Sequence, residues 1–234
     1  MSMLTATATS LFSTFRERTD ALHERTVAHP TVRGIGAGDL PEETFRFYIE
    51  QDFQYLLRFV KVLSIAASSS PDLEMMSRLG SVVTSTIDIE IDGLKALYAR
   101  FGGDPEALYG IEPAPTCEAY CNHLLACAYE RDLLVTLAAI LPCLWGYHDI
   151  GLRLKAQDLP ADERFAAWIE EYASPEYGQV VDRAIKAFNE LGAEAGERQL
   201  QNAFRAWELS SRYEYGFWDM AWKRETWPPE VLNG

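Results

Sequence analysis

A cysteine inside a long apolar segment is the first residue that could do chemistry. In the segment ILPCLWGYHDIG, Pro142 stands directly before Cys143, and Tyr147 follows four residues later. In a helix, the proline removes a backbone hydrogen bond and bends the axis, while residues four apart share a face. A thiol in a gap opened by such a bend could act as a nucleophile. A cysteine in an apolar helix is also a common core residue, and this segment alone leaves both interpretations open.

A carboxylate interrupts an apolar helix face in the segment YIEQDFQYLLRF. Asp52 lies on the face that carries Ile49 and Phe53, and Tyr55 follows three residues later. A buried carboxylate needs a partner. That partner could be a structural hydrogen bond or an ion pair, for instance with Arg58. Alternatively, Asp52 could bind a heterocyclic ligand in an aromatic pocket.

A second carboxylate stands beside an aromatic stripe in SSRYEYGFWDMAW. Phe217 and Trp218 follow Glu214 at the i+3 and i+4 positions. Burial among such rings raises a carboxyl pKa towards values that are useful for proton transfer. The alternative is a residue at the edge of the stripe whose carboxylate reaches water.

Further aromatic residues recur on other segments of similar character. CEAYCNHLL contains Tyr120, and WIEEYASPEY contains Trp168 and Tyr172. Aromatic walls with a few acids suit a flat, basic, nitrogen-containing ring. They do not suit a phosphate, because no cluster of Lys and Arg accompanies them.

Composition excludes several classes of function. The 234 residues include 21 basic and 35 acidic side chains, a net charge of −14, which argues against nucleic-acid binding. We expect the N-terminal segment to form an amphipathic helix rather than a signal peptide, and we expect no membrane span. The four cysteines are expected to be free thiols in a reducing cytoplasm. Cys117, Cys121 and His123 could be grouped around a metal, but their spacing fits no zinc pattern, so neither metal nor cofactor is expected.

Nearly the whole chain is predicted to be helical, and no hairpin signal is present. Several helices are predicted to begin where a proline is followed by acidic residues, for instance after Ser70 and after Ser174. Helices are predicted to end at Gly102 and Gly192. The glycine-rich segment RGIGAGD follows no strand and is predicted to be a loop between helices. Helices are expected near 5–28, 41–69, 71–102, 116–130, 132–156, 161–172, 175–191 and 197–223. With no linker, this predicts one all-α bundle domain over residues 1–234.

Four segments together resemble the TenA family, the thiaminase II or aminopyrimidine aminohydrolase group, in its cysteine-bearing branch. They are HPTVRGIGAGDLPEETFRFYIEQDFQYL, AAILPCLWGYHDIG, WIEEYASPEY and YEYGFWDMAW, in the expected order over most of the chain. The resemblance implies a single-domain helical bundle of the haem-oxygenase type, without haem, usually assembled as a homotetramer. It also implies hydrolysis of 4-amino-5-aminomethyl-2-methylpyrimidine to the hydroxymethyl pyrimidine, a thiamine salvage reaction, with cleavage of thiamine as a related activity.

The resemblance also assigns roles to residues of this chain. Cys143 falls on the nucleophile of the family, and Glu214 falls on its acid and base. Asp52 falls on the aspartate that binds the pyrimidine. The remaining pocket positions of the family are occupied by aromatic residues: Tyr55, Tyr120, Tyr147, Tyr172 and Phe217.

Two other functions remain open on the same fold. One is a metal-dependent oxidase, but none of the four histidines follows a glutamate by three residues, as iron carboxylate sites in bundles require. The other is a non-enzymatic ligand-binding or regulatory protein. The net charge disfavours direct DNA binding in that role.

Overall fold

The computed structural model describes residues 10–229, and within that range every regular element is helical. A π-helical turn (Thr86–Ile91) joins the fourth and fifth helices, and a 3₁₀ turn (Pro105–Gly110) precedes the sixth. The all-α prediction is confirmed for this range. The ten α-helices are α1 (Leu11–Val27), α2 (Pro30–Ala37), α3 (Glu42–Ser68), α4 (Leu73–Ser85), α5 (Asp92–Arg100), α6 (Pro115–Tyr129), α7 (Leu133–Lys155), α8 (Glu163–Tyr172), α9 (Pro175–Glu194) and α10 (Glu197–Lys223).

Two predicted helix starts can be compared with the side chains that cap the helices. The predicted start after Ser174 is confirmed, since its side chain accepts a hydrogen bond from the backbone N–H of Tyr177. The predicted cap at Ser70 is wrong. Asp72 caps α4 instead, because its carboxylate accepts the N–H of Met75 at 2.8 Å.

The first helix starts later than predicted. Ser10 is its cap and accepts the N–H of Ser13 at 3.1 Å, so α1 begins at Leu11. The predicted helical positions 5–9 lie outside the described residues.

Several glycines that were interpreted as breakers serve helix packing instead. The predicted loop RGIGAGD is wrong, because most of it belongs to α2. A Cβ at Gly36 would lie 2.7 Å from Leu154 Cδ2, so glycine is what lets α2 approach α7. The predicted stop at Gly192 is also wrong. The helix α9 runs past it, and a Cβ there would collide with Leu11 on α1.

The predicted helix 71–102 is interrupted by the π-helical turn. This turn places Thr86 and Glu90 so that the Thr86 hydroxyl donates to Glu90 Oε1 at 2.9 Å. Single π turns are frequent at functional sites because they change which side chains face inward.

The apolar helix α7 forms the centre of the bundle and packs against α6, α8, α9 and α10. Its length and mean hydropathy of 1.5 would suit a membrane span, but 78% of that window is buried inside the protein. It is therefore a core helix. Pro142 lies inside α7, which continues through it. The bend expected there stays a prediction.

Candidate active site

Five helices bring the predicted site residues to the interior of the bundle. Asp52 and Tyr55 lie on α3, Cys143 and Tyr147 on α7, and Glu214 on α10, which packs extensively against α7. The remaining positions come from three helices: Tyr120 on α6, Tyr172 on α8 and Phe217 on α10. The contacts described next form two groups, one around Asp52 and one around Glu214, which meet where the ring of Tyr48 lies 6.3 Å from that of Phe217.

Glu214 is buried, with 8% of its surface exposed. The Tyr120 hydroxyl donates to Glu214 Oε1 at 2.6 Å, a short bond of the kind that a carboxylate forms. Burial raises the pKa of Glu214 to about 7, against the opposing effect of that hydrogen bond. The carboxyl group can therefore release and recover a proton near neutral pH. Glu214 is therefore buried rather than at an exposed edge of the aromatic stripe.

Asp52 is buried on the inner face of α3, and Tyr48, one turn earlier, donates to its Oδ2 at 3.2 Å. Burial, followed by the nearby charge of Glu90, raises the pKa of Asp52 to about 8. The ion pair with Arg58 that the sequence left open is absent among residues 10–229. Arg58 instead contacts Glu118 at 3.3 Å.

Cys143 is partly buried beside Tyr55 and Glu214. Burial, followed by the charge of Glu214, raises the pKa of the thiol well above its ordinary value, although a contact with the Tyr55 hydroxyl lowers it. The thiol is therefore protonated at neutral pH. The Tyr55 hydroxyl is buried and forms no hydrogen bond of normal geometry within residues 10–229. It can therefore donate to the Cys143 thiol or to a group that enters the site.

Aromatic rings surround these three polar groups. The Tyr55 ring lies 5.2 Å from Tyr120 and 5.8 Å from Phe217, in tilted and edge-on geometries. The ring of Tyr147 lies 4.9 Å from that of Tyr172. Together they form apolar walls of the kind that hold a flat ring while a few polar groups orient it.

Tyr48 is a residue that the sequence analysis missed. Its hydroxyl accepts the indole N–H of Trp168 at 3.2 Å and lies 3.4 Å from the Tyr147 hydroxyl. It also holds Asp52, so it connects three helices. The signal was available, because Tyr48 precedes Asp52 by four residues and so shares its helix face.

Glu90 was also missed. It lines a cavity of about 200 Å³ between the π-helical turn, α5 and α8, together with Trp168 and Tyr172. Burial raises the pKa of Glu90 to about 7, with a further rise from Glu171 and an opposing effect of the Thr86 hydrogen bond. Because Tyr172 also contacts Tyr147, this cavity adjoins the cluster. No local sequence signal marks Glu90, because its inward position depends on the π-helical turn.

The other cysteines and histidines have structural contacts. Cys117 donates to the carbonyl of Gln51, and His123 lies 3.0 Å from the Ser210 hydroxyl. His148 Nδ1 lies 2.7 Å from the carbonyl of Tyr172 at the end of α8, in agreement with the predicted packing or capping role. Within residues 10–229, no group of three His, Cys, Asp or Glu side chains could hold a metal ion.

Comparison with known proteins relates this arrangement to one family. The model of the TENA/THI-4/PQQC family matches residues 16–224. An aminopyrimidine aminohydrolase of Halalkalibacterium halodurans is 32% identical over 219 residues, which cover 93% of this chain and 98% of the relative.

Solved structures agree on the fold. A TenA homologue from P. horikoshii OT3 superposes with a TM-score of 0.84 at 27% identity, over 92% of this chain and 99% of that one. A domain from Shewanella denitrificans OS217, described as having a heme oxygenase-like fold, superposes with a TM-score of 0.72 at 13% identity, over 91% and 92% of the two chains. The predicted fold type is confirmed.

Proposed function

Because the chain belongs to the TENA/THI-4/PQQC family, we propose that it hydrolyses 4-amino-5-aminomethyl-2-methylpyrimidine to the 5-hydroxymethyl pyrimidine and ammonia, a thiamine salvage reaction. The observation that carries this proposal is the meeting of Cys143, Glu214 and Asp52 inside one aromatic cluster. The relative from Halalkalibacterium halodurans bears the name of this activity. Cleavage of thiamine itself is proposed as a related reaction of the same site.

Substrate binding is the first step of the proposed mechanism. The aromatic walls hold the pyrimidine, and Asp52 binds its amidine edge. Burial disfavours the negative charge of the Asp52 carboxylate. A protonated ring carries a positive charge, which stabilises that carboxylate. Protonation in turn makes the ring carbon C6 more electrophilic.

Cys143 then attacks the ring. Its thiol transfers a proton to the Glu214 carboxylate, and the thiolate adds to C6, which ends the aromaticity of the ring. The exocyclic C–N bond breaks, and the amine takes the proton from Glu214 and departs as ammonia. An exocyclic methylene group remains, with sulfur still bound at C6.

Water completes the reaction. Its oxygen bonds to the methylene carbon, and its proton goes to the Glu214 carboxylate. The C6–S bond then breaks, aromaticity returns, and the released thiolate recovers the proton from Glu214. One carboxyl group can serve as acid and then as base because its pKa of about 7 lies near the working pH.

Ammonia release from the aminomethyl pyrimidine tests the proposal. Wild type should release ammonia, and Cys143→Ala should not. Cys127→Ala is the matched control, because Cys127 is a buried thiol on α6 that lies outside the cluster. No activity in wild type, or full activity in Cys143→Ala, would refute the proposed function.

The assembly and location remain predictions from the family resemblance. We propose a homotetramer in the cytoplasm that binds neither nucleic acid nor a membrane. Light scattering of the purified chain at several concentrations measures the assembly, and a monomer across that range would contradict it.

A further inference from the structure

A second, smaller cavity lies between α1, α7 and α10, and Glu214 forms part of its wall. Its volume is about 20 Å³. A single water needs roughly 10–15 Å³ of volume measured in the same way, so the cavity can hold one water. The other wall residues used below are His23 and Thr26 on α1, Gly146 on α7 and Ser211 on α10.

The wall offers hydrogen-bonding groups to a water. The Ser211 hydroxyl donates to the carbonyl of Trp207 at 2.9 Å, and the Thr26 hydroxyl donates to the carbonyl of Leu22 at 3.1 Å. Each hydroxyl therefore keeps a lone pair that can accept a hydrogen bond from a water. A buried water typically needs two to four such partners.

Glu214 has a free acceptor as well. Tyr120 occupies Oε1, whereas Oε2 accepts no hydrogen bond from residues 10–229 and is not fully enclosed by protein. A small polar molecule in the cavity can thus be bound by Ser211, Thr26 and the carboxylate together.

His23 on α1 forms another part of the cavity wall, and its Nε2 contacts Asp149 Oδ2 at 2.8 Å. The side chains of His23 and Asp149 are 10% and 25% exposed. Because His23 both lines the cavity and has exposed surface, it marks the side from which bulk water can enter without crossing the aromatic cluster.

We infer that this cavity holds and supplies the water that hydrolyses the reaction intermediate. The inference rests on the proposed function. Once ammonia has left, a water held beside Glu214 moves to the methylene carbon. Its oxygen forms the new C–O bond and its proton goes to the Glu214 carboxylate, while bulk water refills the cavity past His23.

The variant Gly146→Ala tests the inference. A Cβ at position 146 has His23 Cε1 as its nearest neighbour, at 3.9 Å, which is ordinary contact. The methyl group therefore fits the fold while it takes space from the water. The matched control is Gly80→Ala on α4, where a Cβ meets nothing within 4 Å and the residue lines neither of the two cavities described above. Both variants should melt no lower than wild type, since alanine favours a helix more than glycine does.

Rapid-quench measurement of ammonia separates the two halves of the reaction. In Gly146→Ala we expect a burst of about one ammonia per site, followed by turnover that is slower by about tenfold or more, because a reactant is displaced. Gly80→Ala should show the steady-state rate of wild type and no new burst. Wild-type turnover in Gly146→Ala would overturn the inference.

Crystal structures give a readout that does not depend on activity. Wild type should show an ordered water within hydrogen-bond distance of Glu214 Oε2 and Ser211, and Gly146→Ala should lack it. An empty cavity in wild type would overturn the inference even if the enzyme is active. If wild type holds the water but releases no ammonia, the proposed function fails and the catalytic use of the water fails with it.

Discussion

Replacement of Asp52 by asparagine should stabilise the protein, and the gain should depend on pH. Asp52 is 4% exposed, and burial together with Glu90 raises its pKa from 3.8 to about 8. Asparagine has the same shape, and its carbonyl can still accept the hydrogen bond from Tyr48. The variant therefore removes the unfavourable charge while the packing is kept.

The sign and size follow from the raised pKa. Below pH 3.8 the carboxyl is protonated in both the folded and unfolded states, so its contribution to stability is fully present. Between about pH 4 and 8 the unfolded chain ionises and the folded protein does not, so wild-type stability falls by about 1.4 kcal/mol per pH unit. Over that window the ceiling is about 6 kcal/mol, and structural relaxation reduces it, so we expect a gain of about 2–5 kcal/mol at pH 9.

Denaturant unfolding of both proteins at pH 4 and pH 9 measures the effect. The Asp52→Asn variant should match wild type at pH 4 and exceed it at pH 9. Asp162→Asn is the control, because Arg164 holds the pKa of Asp162 below its usual range, so this variant should give no gain at pH 9. An equal effect at both pH values, or no gain at pH 9, would refute the burial argument.

Three further predictions concern the other groups of the site. Tyr120→Phe removes a hydrogen bond that lowers the Glu214 pKa, so the acidic limb of the pH profile of kcat/KM should shift to higher pH by about 1–2 units. An unchanged limb would show that ionisation of Glu214 does not determine the acidic limb. Glu90→Gln removes a charge that raises the Asp52 pKa, so the carboxyl carbon resonance of Asp52 should titrate at lower pH in NMR. An unchanged midpoint would show that the charge of Glu90 does not act on Asp52. Cys143 should react slowly with iodoacetamide at pH 7 compared with a free thiol, because its pKa is raised; a rate like that of free cysteine, measured by mass spectrometry, would contradict this.

Local capping and periodicity predicted most of the helices, and the stop predicted at Gly102, where φ is +74°, is confirmed by the end of α5 at Arg100. The predictions at Gly36 and Gly192 were wrong. The cap at Ser174 was visible in the sequence because its partner lies three residues away. The helix over Gly36 was missed because its cause is distant: the glycine allows contact with Leu154 on α7, more than 100 positions along the chain. Close approach between helices leaves no local signal, so glycine alone favoured a loop.

The site shows the same division between local and distant causes. Asp52 and Glu214 could be predicted because acids on apolar helix faces are rare and need an explanation. Glu90 could not, because it faces inward through a π-helical turn that the pattern of TIDIEI does not reveal. The family resemblance supplied the roles of Cys143 and its partners, and the structure adds their mutual positions. Those roles stay proposals until they are tested.

The acids of the site and the proposed substrate complement each other in charge. Among residues 10–229, no lysine or arginine lowers the pKa of Asp52 or Glu214. In the free protein the ionised form of each acid is therefore unfavourable. A protonated aminopyrimidine brings that missing charge, and its arrival should lower both carboxyl pKa values. An ionised Glu214 can then accept the thiol proton of Cys143. We therefore propose that the Cys143 thiolate forms only when substrate is present, because the positive charge of the substrate both favours its binding and ionises the acid that accepts the thiol proton.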